Sequence, residues 1–170
     1  INASAGKVLT FGSGETYKVT SELDFHTGAE GPKIQGNMAT IIVDGQEVQI
    51  GDDERLNCIQ AADRAGISIP FYCWHPGLSV VASCRMCLVE VGAKNKETGK
   101  IDMQPKLVPG CQTPARDGTV IVTNSPKVKA NQSYVQEGIL LDHPVDCPIC
   151  DQAGECWLQD YYFKHGRPER

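Results

Sequence analysis

The sequence predicts an α+β fold in two parts: a small mixed domain of strands around one helix, then a short helical segment. Three observations carry this. A β-rich apolar run is interrupted by Asp44-Gly45, the dipeptide of a tight hairpin. A helical pattern comes after it and stops at Gly66. The last part of the chain sets two helix-like segments around a turn-rich stretch that holds one histidine and three cysteines.

Residues 1–37 are rich in Gly, Ser, Thr and Lys, with apolar residues at no sustained period, and read as a flexible or partly ordered extension. Gly12-Ser13-Gly14 lacks the third glycine of a nucleotide loop and has no convincing strand before it, so it is read as a plain loop. A compact domain would begin at Met38. It is placed at 38–124, with the helical segment at 125–170.

Thr40-Ile41-Ile42-Val43 and Gln46-Glu47-Val48-Gln49-Ile50 are the two hairpin strands. Asp52 or Asp53 offers an N-cap for a helix from about Glu54 to Ala65. On a helical wheel Cys58, Ile59, Ala61, Ala62 and Ala65 share one face, which makes Cys58 a small core residue rather than a ligand. A long loop runs from Cys73 to Cys87, and Leu88-Val89-Glu90-Val91 leaves it as a strand. Residues 92–106 are polar and charged and read as a surface excursion. Leu107-Val108 leads into Cys111, and Gly118-Thr119-Val120-Ile121-Val122-Thr123 is the final strand. Ser125-Pro126 then opens a helix, with Val128, Val135 and Ile139 at helical spacing, that ends near Asp142. A last helix begins near Cys156. It pairs Trp157 with Tyr161 and Leu158 with Tyr162, packs against its neighbouring helix, and stops at Gly166 and Pro168.

Several function classes fall away on composition. A formal charge of −5, with no basic run interleaved with aromatics, excludes nucleic acid as the main partner. The apolar runs are too short to cross a bilayer and no secretory leader is visible, so a soluble, intracellular chain is expected. Eight cysteines in 170 residues fall below the roughly 8–10% of disulfide-stapled scaffolds, and two C-x2-C pairs point to metal or redox chemistry.

With Cys58 set aside, two four-member sets remain. Cys73, Cys84, Cys87 and Cys111 form C-x10-C-x2-C-x23-C, and His143, Cys147, Cys150 and Cys156 form H-x3-C-x2-C-x5-C. Four is the number that a tetrahedral metal or an iron–sulfur cluster requires. Structural zinc is the alternative, but two features favour iron–sulfur. Small residues (Gly77, Ser79, Ala82, Ser83) leave backbone N–H groups free to approach sulfur, and the five-residue gap does not match paired zinc knuckles. The first layout resembles plant-type ferredoxins with a longer first gap. His75 reads as a loop hydrogen-bonder, and His26 and His165 as solvated or helix-end residues. Arg85 either offsets thiolate charge or is simply exposed. No catalytic set of side chains is present.

From Met38 to Arg170 the chain resembles the N-terminal part of the large iron–sulfur subunit of respiratory complex I, NADH:quinone oxidoreductase. The resemblance is carried by Cys84-Arg85-Met86-Cys87-Leu88-Val89-Glu90-Val91, and by His143-Pro144-Val145-Asp146-Cys147-Pro148-Ile149-Cys150-Asp151-Gln152-Ala153-Gly154-Glu155-Cys156 with Leu158-Gln159-Asp160. Iron–sulfur subunits of NAD-linked hydrogenases and formate dehydrogenases are similar over the same region. The resemblance implies a β-grasp, ferredoxin-like domain whose Cys73, Cys84, Cys87 and Cys111 hold a [2Fe–2S] cluster. It further implies a [4Fe–4S] cluster on His143, Cys147, Cys150 and Cys156. The implied role is relay of single electrons from a flavin/NADH-binding subunit toward quinone. The chain would sit in a peripheral arm on the cytoplasmic side of the inner membrane, in a bacterial context, and meet the membrane only through the complex. Residues 1–37 have no counterpart in the family, the insert at 92–106 is long, and the family continues beyond 170, so a fragment or short relative is expected. The rival classes are a zinc-stabilised interaction module and a free-standing ferredoxin-like carrier.

Overall fold

The computed structural model describes residues 38–51 and 54–167, together with two three-residue strands nearer the N-terminus. The chain divides into two compact units, residues 1–35 and 36–170. In the first, β1 (Val8–Thr10) pairs antiparallel with β2 (Thr16–Lys18), Leu9 opposite Tyr17. A strand therefore does precede Gly12-Ser13-Gly14, contrary to expectation, although those three residues lie outside the described ones. The next described element is a second strand, not the helix a dinucleotide loop requires, so the plain-loop reading stands. The remaining expectation for 1–37, flexibility, also lies outside the described residues.

The second unit opens with β3 (Met38–Val43) and β4 (Gln46–Gly51), paired antiparallel with Ile41 opposite Val48. Asp44 and Gly45 both take positive φ, 46° and 86°, as a type I′ turn demands. The Asp44 carboxylate also accepts from the Thr123 N–H at 2.7 Å and from the Thr123 hydroxyl, tying the hairpin to a distant strand end.

Helix α1 spans Cys58–Arg64, four residues shorter at its start than the sequence predicts, and Asp52 and Asp53 lie outside the described residues. Its N-cap is Asn57. The Gln60 N–H donates to Asn57 Oδ1 at 2.9 Å, and the Asn57 N–H donates to Gln60 Oε1 at 3.1 Å, a reciprocal capping box. The late start has a tertiary cause. The Leu56 carbonyl accepts from the Ala115 N–H at 2.9 Å and Asn57 bridges to Pro114, which holds 56–57 extended. Gly66 ends the helix at φ +73°. Its N–H bonds to the Asp63 carbonyl and the Ile67 N–H to that of Ala62, a Schellman closure.

The next three strands are β5 (Leu88–Lys94), β6 (Ile101–Met103) and β7 (Val108–Pro109). The expected surface excursion is thus largely a hairpin arm, Gly92 facing Met103 and Lys94 facing Ile101. The last strand, β8 (Thr119–Val122), lies parallel to β3 and antiparallel to β5. The sheet order is β4-β3-β8-β5-β6, with β7 beside the start of β5. A mixed sheet in which β3 and β8 run parallel, with a helix across it, agrees with the predicted α+β, ferredoxin-like class. Ile41, Val43, Val89 and Ile121 are fully buried between sheet and helix, with Cys58, Ala61 and Ala62 from α1. Each large aliphatic contributes about 1.5–3 kcal/mol by burial.

Helix α2 (Pro126–Asp142) is capped by Ser125, whose hydroxyl accepts from the Val128 N–H at 3.3 Å, with Pro126 in the first turn as expected. Its buried face keeps Val128 of the expected aliphatic positions and is otherwise polar. Val128, Gln132, Ser133 and Gln136 are buried, whereas Val135 and Ile139 are half-buried. Helix α3 (Trp157–His165) packs on α2, and α2 packs on β5.

Candidate metal centres

Two loops deliver the first four thiols. Cys73 lies in the loop after α1, Cys84 and Cys87 directly before β5, and Cys111 directly after β7. Ala82 adopts φ +54°, and the next two residues, Ser83 and Cys84, both turn their backbone N–H groups onto the Cys73 thiol, Cys84 at 3.4 Å. Burial alone would push the Cys73 thiol up, but these donors outweigh it and leave the thiol below the ordinary range. Cys87 and Cys111 lie close to one another and act on each other's protonation. Burial pushes both upward, Cys111 to about 12, and the charges of Cys73 and Cys84 act on both in the same direction. Cys73 and Cys84 are thus adjacent, and Cys87 and Cys111 lie close enough for the charges of the other two to act on them. Cys87 and Cys111 are buried, and no cation is among the groups that shift them, an arrangement that suits thiolates neutralised by iron.

Cys58 lies behind this group in the core. Burial raises it to about 12, so it stays neutral, as expected of a core residue.

The second four are strung along the α2–α3 connection. His143 comes directly after the last residue of α2 and is exposed; Cys147 begins a 3₁₀ turn, Cys147–Ile149; Cys150 is exposed; and Cys156 is the N-cap residue of α3. Short backbone bonds fold the connection: the Cys150 N–H to the Cys147 carbonyl at 3.3 Å, and the Ala153 N–H to that of Cys150 at 3.1 Å. Gly154, at φ +88°, gives its N–H to Gln159 Oε1. No described contact joins these four side chains to one another. Among the described residues, no three His, Cys, Asp or Glu side chains gather around a single-ion point. The donor set itself, one imidazole and three thiols on a folded loop, has the number and chemistry that a four-iron cluster takes.

Sequence reasoning missed the residues that join the two regions. Phe71 meets Trp74 and Trp157 edge-on, at ring-centre distances of 4.9 and 6.0 Å, and Tyr72 meets Tyr161 at 5.3 Å. Trp157 and Tyr161 do pair at 6.2 Å, but they pack against the segment leading into Cys73 rather than only between helices. Gln136 bonds to Tyr72 from α2. His75 is a loop hydrogen-bonder as expected, Nδ1 accepting from the Gly77 N–H at 3.1 Å. His165 is half-buried at the end of α3, and Arg85 is exposed. His26 lies outside the described residues.

The 2Fe-2S iron-sulfur cluster binding domain model matches residues 36–126, more than half of the chain. The chain belongs to that family. A second match, to the NADH-ubiquinone oxidoreductase-G iron-sulfur binding region, covers residues 132–170 and contains all four members of the second set. Among curated relatives, the G subunit of NADH-quinone oxidoreductase from Rickettsia bellii is 41% identical over 76% of this chain and 17% of its own length. The mitochondrial 78 kDa subunit of NADH-ubiquinone oxidoreductase from Neurospora crassa is 43% identical over 74% of this chain and 15% of its own. The chain thus spans under a fifth of the length of these relatives. The resemblance read from the cysteine phrases is borne out. A solved NAD+-reducing [NiFe]-hydrogenase chain is similar with a TM-score of 0.59 and 28% identity, over 75% of this chain and 48% of that one. Among the described residues no helix is long and apolar enough to cross a membrane.

Proposed function

We propose that this chain is an electron-relay segment of an NADH:quinone oxidoreductase, receiving single electrons from a flavin-bearing subunit and passing them toward quinone. Cys73, Cys84, Cys87 and Cys111 would hold a [2Fe–2S] cluster, and His143, Cys147, Cys150 and Cys156 a [4Fe–4S] cluster with one histidine ligand. The observation that supports the reading is the match of residues 36–126 to the 2Fe-2S family, within which the Cys84 N–H reaches Cys73 Sγ and Cys87 and Cys111 are buried. When bound, the clusters supply one-electron chemistry. The protein contributes position and electrostatics. The N–H groups of Ser83 and Cys84 offset thiolate charge at Cys73, and the buried thiols of Cys87 and Cys111 give up their protons only as iron binds. Neutral His143 would leave its cluster one negative charge short of a four-thiolate set, which by itself raises its potential. The chain would reach the membrane only through its complex, on the cytoplasmic side in a bacterial setting.

Anaerobic purification tests the reading. Brown protein with iron, acid-labile sulfide and two reduced-state EPR signals is expected; colourless protein carrying zinc would end it. His143→Cys separately tests the histidine, since an unchanged spectrum and potential would remove it from the ligand set. The hydrogenase likeness supports a second reading, the corresponding subunit of an NAD-linked hydrogenase. Purification with native partners decides between them by whether the assembly reduces quinone or oxidises hydrogen.

A further inference from the structure

We propose that Gln136 is a positioning residue for the first ligand set, holding the loop that carries Cys73, Cys84 and Cys87 against α2 through Tyr72 and Met86. The inference rests on the electron-relay reading above.

Gln136 is wholly buried, where an amide is costly unless it is bonded. Its Nε2 lies 2.7 Å from the Tyr72 hydroxyl and 3.7 Å from Met86 Sδ, and its Oε1 lies 3.1 Å from the same hydroxyl. Tyr72 immediately precedes Cys73, and Met86, itself fully buried, immediately precedes Cys87. Five residues earlier on α2, Asn131 Nδ2 donates to the Arg85 carbonyl at 3.0 Å. Arg85 sits at φ +59°, a conformation that a non-glycine residue keeps only under outside restraint. Helix α2 therefore grips the residue before Cys73 and both residues between Cys84 and Cys87.

None of these contacts falls on a thiol. They act on where the thiols stand and on how the loop N–H groups meet sulfur, the features through which surroundings tune a cluster's potential. The buried amide at 136 is explained by the same contacts: an aliphatic residue there would pack, but it would leave the part-buried Tyr72 hydroxyl without its partner.

The test uses the chain purified anaerobically with both clusters, comparing wild type, Q136L, Y72F and the double variant by EPR-monitored redox titration at matched iron and sulfide. Both single variants are expected to shift the [2Fe–2S] midpoint in the same direction and alter its reduced-state g-values. The double variant should shift it no further than the larger single, because Y72F removes only a contact that Q136L already removes. Wild-type g-values and midpoint in both singles would overturn the proposal, as would a double shift equal to the sum. Should Q136L fail to load, Y72F, which deletes one oxygen, decides alone by the same criterion. A wild-type chain with no [2Fe–2S] signal would instead strike the electron-relay reading.

Discussion

The Cys84 N–H donates to Cys73 Sγ at 3.4 Å across a loop of ten intervening residues, so the first two thiols are already brought together by the loop's own backbone. The left-handed turn at Ala82 makes this approach possible, and Cys87 and Cys111 are buried. Cys73→Ala is therefore expected to abolish the [2Fe–2S] EPR signal and its share of iron and sulfide. The [4Fe–4S] signal should persist, because the second set belongs to a separate connection between α2 and α3. Loss of both signals on this one substitution would show that the two sets do not load independently.

The cysteine sets were legible because ligand spacing is local: a C-x2-C pair and its flanking turns reveal themselves within a few residues. Cys58 was legible for the same reason, since the helical wheel alone puts it inward. What escaped depends on partners distant in sequence. The start of α1 is set by Leu56 meeting Ala115, against a local pattern that would start the helix sooner. Gln132 and Gln136 look like solvent-facing positions until Tyr72, sixty-four residues from Gln136, supplies the bond that makes burial of the latter tolerable. Strand β6 lies at the sheet edge with every residue exposed, so it carries no apolar alternation to read.

Cys58 offers a direct check on the cysteine assignment. Its thiol points into the core between α1 and the sheet, near Cys87, and it stays neutral. Cys58→Ala should leave iron, sulfide and both EPR signals unchanged while costing about 1 kcal/mol through lost packing. Cys58→Ser should cost more, about 1–3 kcal/mol, if its hydroxyl is left buried and unpartnered. Urea unfolding of the three proteins measures the order; iron loss on either substitution would return Cys58 to the ligand list.

Asn57 serves two structures at once. It caps α1, and its Nδ2 donates to the Cys111 carbonyl at 3.0 Å. Asn57→Ala should therefore cost about 1–2 kcal/mol by loss of the cap, seen as a lower urea midpoint at unchanged m. It should also perturb the [2Fe–2S] signal, because the segment bearing Cys111 loses a tether. Asn57→Asp keeps the cap but replaces the donor amide with a carboxylate. It is expected to restore most of the stability and not the signal, and equal recovery of both would show that the Cys111 tether is immaterial.

Gly110 lies where a side chain would press on the backbone of Cys87. A Cβ there would stand 3.0 Å from the Cys87 carbonyl and 3.6 Å from Cys58 Cβ. Gly110→Ala should consequently displace the Cys111 segment, lowering cluster content on purification more than it lowers the stability of the metal-free chain. Equal cluster content in variant and wild type would show that the loop yields without moving its thiol.

Asp117 gives the pH dependence. Its carboxylate pairs with Lys96 at 2.5 Å and accepts from the Thr40 N–H at 2.8 Å, tying the approach to β8 to the start of β3; the Lys96 contact first, then the Thr40 bond, holds it below the ordinary carboxylate range. A carboxyl depressed in the folded state stabilises the fold above its unfolded value, and that contribution disappears as pH falls through the lower folded value. The effect is confined to the acid side of the carboxylate range and is modest, because the pair is solvent-exposed. Asp117→Asn should lower stability at neutral pH and converge on wild type in acid. Denaturant midpoints recorded from about pH 7 down to about pH 3 read the convergence directly; parallel curves would mean that the carboxylate charge plays no part in holding β3 and β8 together.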